Sequence, residues 1–304
     1  RGRFGLNLDP ATEVLSLIGS KEGIAHIPLA FVNPGDVVLV PSPGYPVYRA
    51  ATILAGGEPY QMPLLKANGF LPDLSVIPEQ ILRRAKLMFI NYPNNPTAAV
   101  ADDQFYTDLI ALAAKFGFII CHDAAYSEIA FDGFRPPSIL QFEGAMEVAI
   151  EFHSLSKTFN MTGWRIGFAT GNKELISGLG KVKTNIDSGI FQAVQYAGIE
   201  ALTSQVPEVE NFINIYQQRR DTLIPGLRKL GFEPDVPKAT FYVWIEVPLG
   251  YDSTGFTAHL LDKTGIVTTP GVGFGEFGEG YIRFALTVDE TRLSEALHRL
   301  ENIL

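Results

Sequence analysis

One cysteine, Cys121, stands in 304 residues, so no disulfide can form within the chain and a reducing compartment, the cytoplasm, is the expected setting. It lies in the apolar run Phe118-Ile119-Ile120-Cys121 and reads as a buried core thiol. No apolar stretch approaches the roughly 18 residues that a bilayer span needs, and the first residues carry no signal-peptide pattern. A membrane partner is therefore not expected. Runs rich in Lys and Arg are missing too, and the net charge is -9, which argues against nucleic acid because a phosphate backbone calls for a basic stripe. The five histidines form no His-Glu-x-x-His and no Cys/His cluster, so no metal site is expected. Internal repeats and low-complexity segments are absent as well.

What is present is an alternation of buried strands and helices. Val37 to Val40, Leu87 to Ile90, Phe118 to Cys121 and Val148 to Phe152 are short apolar runs bounded by Pro, Gly, Asn or Asp, the pattern of strands covered on both faces. Between them, Phe105, Leu109, Leu112, Ala113 and Phe116 recur at helical spacing within Ala101 to Phe116. Strands separated by helices imply βαβ crossovers and an α/β domain with a mostly parallel sheet sandwiched by helices. From Val206 to Lys229 runs a long polar helical pattern. After Gly231 follow the apolar run Thr240 to Ile245, a helix near Phe256 to Lys263, a strand Tyr281 to Ala285 and a closing helix from Asp289. The chain is thus expected to divide within residues 205 to 230, into a large domain of residues 1–215 and a smaller α+β domain of residues 216–304.

In a parallel sheet, ligands bind beyond the carboxyl ends of the strands. Those ends carry Pro41-Ser42-Pro43-Gly44-Tyr45-Pro46, Asn91-Tyr92-Pro93-Asn94-Asn95-Pro96-Thr97, His122-Asp123-Ala124-Ala125-Tyr126, and His153 followed by Ser154-Leu155-Ser156-Lys157. Lys157 has hydroxyls on its N-terminal side, and Arg165 stands eight residues on. A lysine amine becomes a nucleophile toward carbonyl compounds when burial or a cationic neighbour lowers its pKa, and the hydroxyls and guanidinium can hold a phosphate beside it. Together these groups suggest pyridoxal phosphate bound as a Schiff base.

With these motifs in this order, the chain resembles the class I/II aminotransferases of the fold-type I pyridoxal-phosphate family over its whole length. The resemblance implies a role for each residue. Lys157 would carry the cofactor and later act as the base, and Asp123 would pair with the pyridine nitrogen. Tyr126 and Asn95 would hydrogen-bond the ring's phenolic oxygen, and Tyr45 would stack on the ring. Ser20, the backbone amide of Lys21, Ser154, Ser156 and Arg165 would hold the phosphate, which helix N-termini and guanidinium forks favour. Arg283, with Asn95 beside it, would clamp the substrate carboxylate. Amino-acid and 2-oxo-acid substrates are implied, as is a homodimer in which residues around Asn185 to Gln192 approach the neighbour's cofactor.

Singly, each residue has an ordinary structural reading: Asp123 as a turn cap, Asn95 as turn chemistry, Tyr45 as packing, Arg283 as a surface ion pair, Lys157 as a solvated loop residue. Competing motifs fit less well. Ser154-Leu155-Ser156-Lys157 and Lys263-Thr264-Gly265 match two elements of penicillin-recognising acyl enzymes, but the middle element is missing between them. Gly273-Phe274-Gly275-Glu276-Phe277-Gly278 fits a dinucleotide-binding pattern, yet a strand rather than a helix follows it. A cystathionine-type β-lyase on the same fold, or a degenerate pyridoxal-phosphate module, stays open.

Within the family, the stretches Leu17 to His26, Lys181 to Gly189 and Pro270 to Glu276 resemble those of bacterial LL-diaminopimelate aminotransferases, which exchange an amino group between LL-2,6-diaminopimelate and 2-oxoglutarate. Aspartate, alanine and aromatic aminotransferases share the cofactor residues. Ala98 stands where many relatives have glycine after Asn-Pro-Thr. The opening Arg1-Gly2-Arg3-Phe4-Gly5 has neither an initiator methionine nor a helix start, and the chain is expected to begin inside a longer protein. In relatives an upstream segment completes the small domain and covers the active site. A version extended upstream is accordingly expected to bind pyridoxal phosphate more tightly and to turn over faster than residues 1–304. Cofactor titration and steady-state kinetics on the two chains measure this, and equal turnover would count against it.

Overall fold

The computed structural model describes residues 1–204 and 207–303. Its main sheet contains seven strands, β1 (Val14–Leu17), β2 (Val37–Ser42), β3 (Glu58–Pro63), β4 (Ala85–Ile90), β5 (Ile119–Asp123), β6 (Ala149–Ser154) and β7 (Gly167–Gly171), in the order β1-β7-β6-β5-β4-β2-β3. The run from β3 through β2, β4 and β5 to β6 is parallel, while β7 is antiparallel to both β6 and β1. All four apolar runs read from the sequence fall on strands, although Phe118 precedes β5 and Val148 ends the short helix Ala145–Val148 instead of opening β6.

Period-two alternation explains why these strands are apolar throughout. Val38, Val40, Leu87, Phe89, Cys121, Ile150 and Phe152 face one core, which the helices Ser20–Phe31 and Lys173–Ile186 close with Ile24, Ile27, Leu175, Ile176 and Leu179. Val37, Leu39, Met88, Ile90, Ile120 and Ala149 face the other, closed by the helix Asp103–Phe116. That helix starts where the Asp102 carboxylate accepts a bond from the Phe105 amide at 2.8 Å, and it stops at Gly117 in the left-handed region. It buries Phe105, Tyr106, Leu109, Ile110 and Ala113, leaving the expected Leu112 and Phe116 half-buried. The helical period holds, rotated by about one residue from the sequence reading.

A second sheet of three strands, β8 (Tyr242–Glu246), β9 (Thr269–Pro270) and β10 (Tyr281–Ala285), is antiparallel in the order β8-β10-β9. The helices Pro207–Lys229, Ser253–Thr264 and Glu290–Glu301 accompany it. Val206, at the start of the expected helical pattern, lies outside the described residues. The helix Pro207–Lys229 runs through positions 215 and 216, where the sequence reading divides the chain. The second core also takes in Ala125, Tyr126, Ile129 and Phe131 from the segment after β5. As expected, the glycine-rich stretch Gly271 to Gly278 forms short turns ahead of β10 and opens no long helix.

Between β6 and the first long helix, the backbone is pinched. A Cβ on Gly167 would lie 2.5 Å from the His153 carbonyl oxygen and 2.8 Å from the Ser20 amide nitrogen, so only glycine lets β7 pass between these two main-chain segments. Ala98 has φ 61, in the left-handed region, a conformation that glycine adopts without the Cβ penalty. Replacing Gly167 with alanine is expected to cost about 1–3 kcal/mol through forced backbone displacement. Urea denaturation of the two proteins measures that cost, and an unchanged midpoint would rule out the pinch.

Candidate active site

At the carboxyl ends of the parallel strands lies a cleft of about 450 Å³, lined by Ser20, Lys21, Tyr45, Asn95, Asp123, Tyr126, Ser154, Ser156, Lys157, Arg165 and Arg283. Every site residue singled out from the sequence is among them. A separate cavity of about 470 Å³, more apolar, lies nearby against Phe4, Leu140 and His153. It contains neither Lys157 nor Arg283.

Asp123 ends β5 and is 6% exposed. One carboxylate oxygen accepts a 2.8 Å bond from the Tyr48 hydroxyl, the other a 3.3 Å bond from the Ala125 amide. The turn-cap reading is thus met by one oxygen. Burial raises the Asp123 pKa above the usual carboxylate value, opposed by the bonds from Tyr48 and Ala125. A carboxylate this dry strongly favours a cation placed against it.

Lys157 follows β6 on the one-turn helix Leu155–Thr158. Its amine sits 5.8 Å from the centre of the Phe241 ring. Burial lowers its pKa, Asp123 raises it, and Arg165 and Arg283 lower it further. Ser154 caps the same turn, its oxygen accepting from the Ser156 amide at 3.3 Å, so this hydroxyl is partly engaged by its own backbone while its proton stays available to an anion. Ser156 is buried.

Opposite, Ser20 and Lys21 open the helix Ser20–Phe31, whose amides and dipole make a site for an anion. Gly19 precedes them at φ 77, and a Cβ there would fall 2.3 Å from a guanidinium nitrogen of Arg165. Glycine at this point lets the guanidinium lie against the helix entry. Arg165 itself has φ 54, and one of its nitrogens donates to the Thr162 carbonyl at 3.0 Å. Helix amides, two serines and a guanidinium therefore share one end of the cleft, a donor set that fits a phosphate.

At the other end, Arg283 projects from β10, donating to the Asn95 side-chain oxygen at 2.6 Å and lying 4.1 Å from the Tyr242 ring centre. Its Nε is buried without a protein partner, which leaves a guanidinium edge with unmet hydrogen-bonding capacity. Asn91 fixes two neighbours at once, donating to the Asp123 carbonyl at 2.6 Å and accepting from the Asn95 amide at 2.8 Å. The Tyr126 and Tyr242 hydroxyls are 3.1 Å apart. Tyr45 is half-buried, its ring edge-on to Tyr48 with centroids 5.8 Å apart.

Sequence reasoning missed Tyr48, Asn91 and Tyr242 as site residues. Tyr48 stands three residues beyond Tyr45, as the second residue of the helix Val47–Leu54, and that spacing was the available signal. Asn91 lay in the strand-end segment already flagged. Tyr242 gave no signal, being one aromatic among several in an apolar run.

The Lys157 amine is expected to titrate below the ordinary lysine range in the cofactor-free protein, and Asp123→Asn is expected to lower it further by removing the one charge that raises it. Competitive acetylation across pH, read by peptide mass spectrometry, measures both values; an upward shift in Asp123→Asn would contradict the electrostatic account.

Comparison with known proteins adds an independent line. The family model described as aminotransferase class I and II matches residues 2–300. LL-diaminopimelate aminotransferase from Halothermothrix orenii is 61% identical, aligned over 99% of this chain and 78% of the relative. The protein of the same name from Aquifex aeolicus is 58% identical over the same shares. Among solved structures, substrate-bound BacF from Bacillus subtilis superposes with a TM-score of 0.96 at 39% identity, covering 100% of this chain and 78% of that one. A probable N-succinyldiaminopimelate aminotransferase from Thermus thermophilus gives 0.95 at 38% identity, covering 100% and 81%.

Proposed function

The chain belongs to the class I and II aminotransferases, and from that premise we propose that it catalyses pyridoxal-phosphate-dependent transamination with LL-2,6-diaminopimelate as amino donor and 2-oxoglutarate as acceptor, a reaction of lysine biosynthesis. The observation that carries this reading is the convergence on one cleft of Asp123 and Lys157, from the ends of β5 and β6, and Arg283, from β10, in a chain 61% identical to a relative named for that activity.

The residues present fit the cofactor. Helix amides at Ser20 and Lys21, with Ser154, Ser156 and Arg165, would hold its phosphate, and Tyr45 would lie on its ring. Asp123 would take the pyridine nitrogen, whose positive charge meets the requirement of a desolvated carboxylate. Asn95 and Tyr126 would meet the ring hydroxyl. When bound, the group serves as an electron sink that acidifies the hydrogen on the substrate's α-carbon. Lys157 would attach it through the amine and then, once displaced, remove that hydrogen as a proton. Burial keeps this amine's pKa below the usual lysine value, which enlarges its neutral, basic fraction. Arg283 would bind the α-carboxylate in a fork, with the orientation of the α-carbon following from it.

Assembly as a homodimer is part of the proposal. The helix Gln192–Thr203 buries only Gly198 among its residues, while Phe191, Tyr196, Ile199 and Leu202 are 75%, 72%, 56% and 55% exposed. An apolar stripe of this kind is suited to cover by a second copy. Among the described residues, no helix is long and apolar enough to cross a membrane; with the lone cysteine buried, a cytoplasmic setting fits.

Borohydride reduction of the cofactor-supplied protein followed by peptide mapping is expected to label Lys157. Adding LL-diaminopimelate without acceptor is expected to convert the bound cofactor's spectrum to the amine form, and Lys157→Ala is expected to lose about 10⁶-fold or more in kcat. An unlabelled Lys157 would defeat the cofactor reading. Release of pyruvate and ammonia without a 2-oxo acid would point to a lyase.

A further inference from the structure

Behind the cleft, on the opposite face of β5 from Asp123, is a buried polar cluster with no part in the roles assigned above. Glu151 of β6 is fully buried and accepts four bonds: from Ser138 Oγ at 2.8 Å, from the Ile139 amide at 2.9 Å, from His153 Nε2 at 2.6 Å and from His122 Nδ1 at 2.9 Å. His122, also fully buried, has its other ring nitrogen, Nε2, 3.0 Å from the Tyr92 carbonyl oxygen. Its ring is packed against Tyr106, with centroids 5.7 Å apart.

Hydrogen-bond inventory fixes the proton count. A backbone carbonyl only accepts, so His122 Nε2 carries a hydrogen. The four groups facing Glu151 include an amide that can only donate and a hydroxyl and two imidazoles placed to donate, the surroundings of an ionised carboxylate. Burial pushes Glu151 up, but His153 and His122 together hold it well below the usual carboxylate range. An ionised Glu151 requires a hydrogen on His122 Nδ1 as well. We infer that His122 carries protons on both ring nitrogens and, as an imidazolium, is a positioning residue that neutralises Glu151 behind Asp123 and anchors the loop bearing Asn95.

Two consequences follow, both resting on the aminotransferase reading. An uncharged side chain in place of His122 would leave an ionised Glu151 with His153 as its one imidazole partner, and so with more uncompensated negative charge on the strand paired with β5. That anion would drive Asp123 toward its protonated form and weaken its hold on the pyridine nitrogen. His153 and His122 both act to lower Asp123, against the effect of burial. The second consequence is geometric. Tyr92 begins the segment through Asn94 and Asn95, and the bond from His122 to the Tyr92 carbonyl ties it to the strand that carries Asp123, while Arg283 binds its far end at Asn95.

The titratable groups around the cluster are Glu151, His153 and Asp123, the phenols of Tyr92 and Tyr106 on the face covered by the helix Asp103–Phe116, and, lining the same cavity as Glu151 and His153, Arg1, Arg3 and Glu128. Nitrogen-15 NMR of the cofactor-free chain with labelled histidine, at neutral pH and with resonances assigned through the backbone, is expected to show two protonated ring nitrogens for His122. An unprotonated ring nitrogen there overturns the inference. In the cofactor-loaded enzyme, His122→Gln keeps a donor for the Tyr92 carbonyl but removes the charge. It is expected to lower kcat about tenfold with KM for the amino donor changed less than about twofold, and the added Glu151→Gln is expected to recover most of the loss. A purely structural role predicts no recovery, and a double variant as slow as the single one overturns the charge argument. The NMR experiment needs no cofactor, so its result stands apart from borohydride labelling at Lys157: a protonated His122 with an unlabelled lysine would fault the functional reading alone.

Discussion

A carboxylate kept dry at the end of a parallel strand sets the terms for the cleft. Asp123 is raised by burial, and Tyr48 and Ala125 only partly offset the cost. What fully meets such a group is a cation held in the same dry space. The cleft also brings Lys21, Lys157, Arg165 and Arg283 to its walls with Asp123 as the carboxylate among its lining residues, in a chain whose net charge is -9. Overall acidity therefore says nothing about the site. Locally it is cationic, which suits a pocket proposed to take a phosphate ester and a substrate carboxylate.

The fold delivers these groups through main-chain geometry more than through side-chain packing. Parallel strands end at one edge, so the residues after β4, β5 and β6 meet without long excursions. Two glycines then allow close approach: Gly167 lets β7 slip between His153 and Ser20, and Gly19 lets the Arg165 guanidinium reach the helix entry. Both act on the end of the cleft that holds Ser20 and Arg165. The end that holds Asn95 and Arg283 is built differently, with the Asn91 side chain joining the main chains of Asp123 and Asn95 and the Asn95 side chain accepting from Arg283.

That difference explains what was legible in the sequence. The apolar strands β2, β4, β5 and β6 announced themselves because both faces are buried, and the polar residues at their ends followed by position. β1, β3 and β7 did not: Glu58–Pro63 is only partly buried, Val14–Leu17 is a short edge strand, and Gly167–Gly171 contains two glycines. None carries a strong strand pattern. Lys157 could be chosen for its chemistry, and Asp123 and Arg283 through the family resemblance that joins them to it, since each singly reads as ordinary structure. Tyr48 and Tyr242 could not, since a tyrosine inside an apolar segment is ordinary core until a partner for its hydroxyl is known. His122 and Glu151 were hidden for the same reason. Their pairing depends on strand register, His122 opposite Glu151, and register is a property of the folded sheet.

The small sheet is part of the site and not an appendage to it. Arg283 sits on β10, yet its hydrogen bond goes to Asn95 beyond β4, while Tyr126, just after β5, is buried in the core of the small sheet and meets Tyr242 of β8. Each sheet thus places one of its own site residues into the other's territory. Loosening the second core would displace Tyr126 and Arg283 together, the residues proposed to meet the cofactor ring and the substrate carboxylate. The cleft's two halves therefore depend on the same packing, and a cofactor bridging them would tighten both by mass action on the folded form. In a protein built this way, binding and stability are coupled by construction, because the polar contacts that define the site are also contacts that join the two cores.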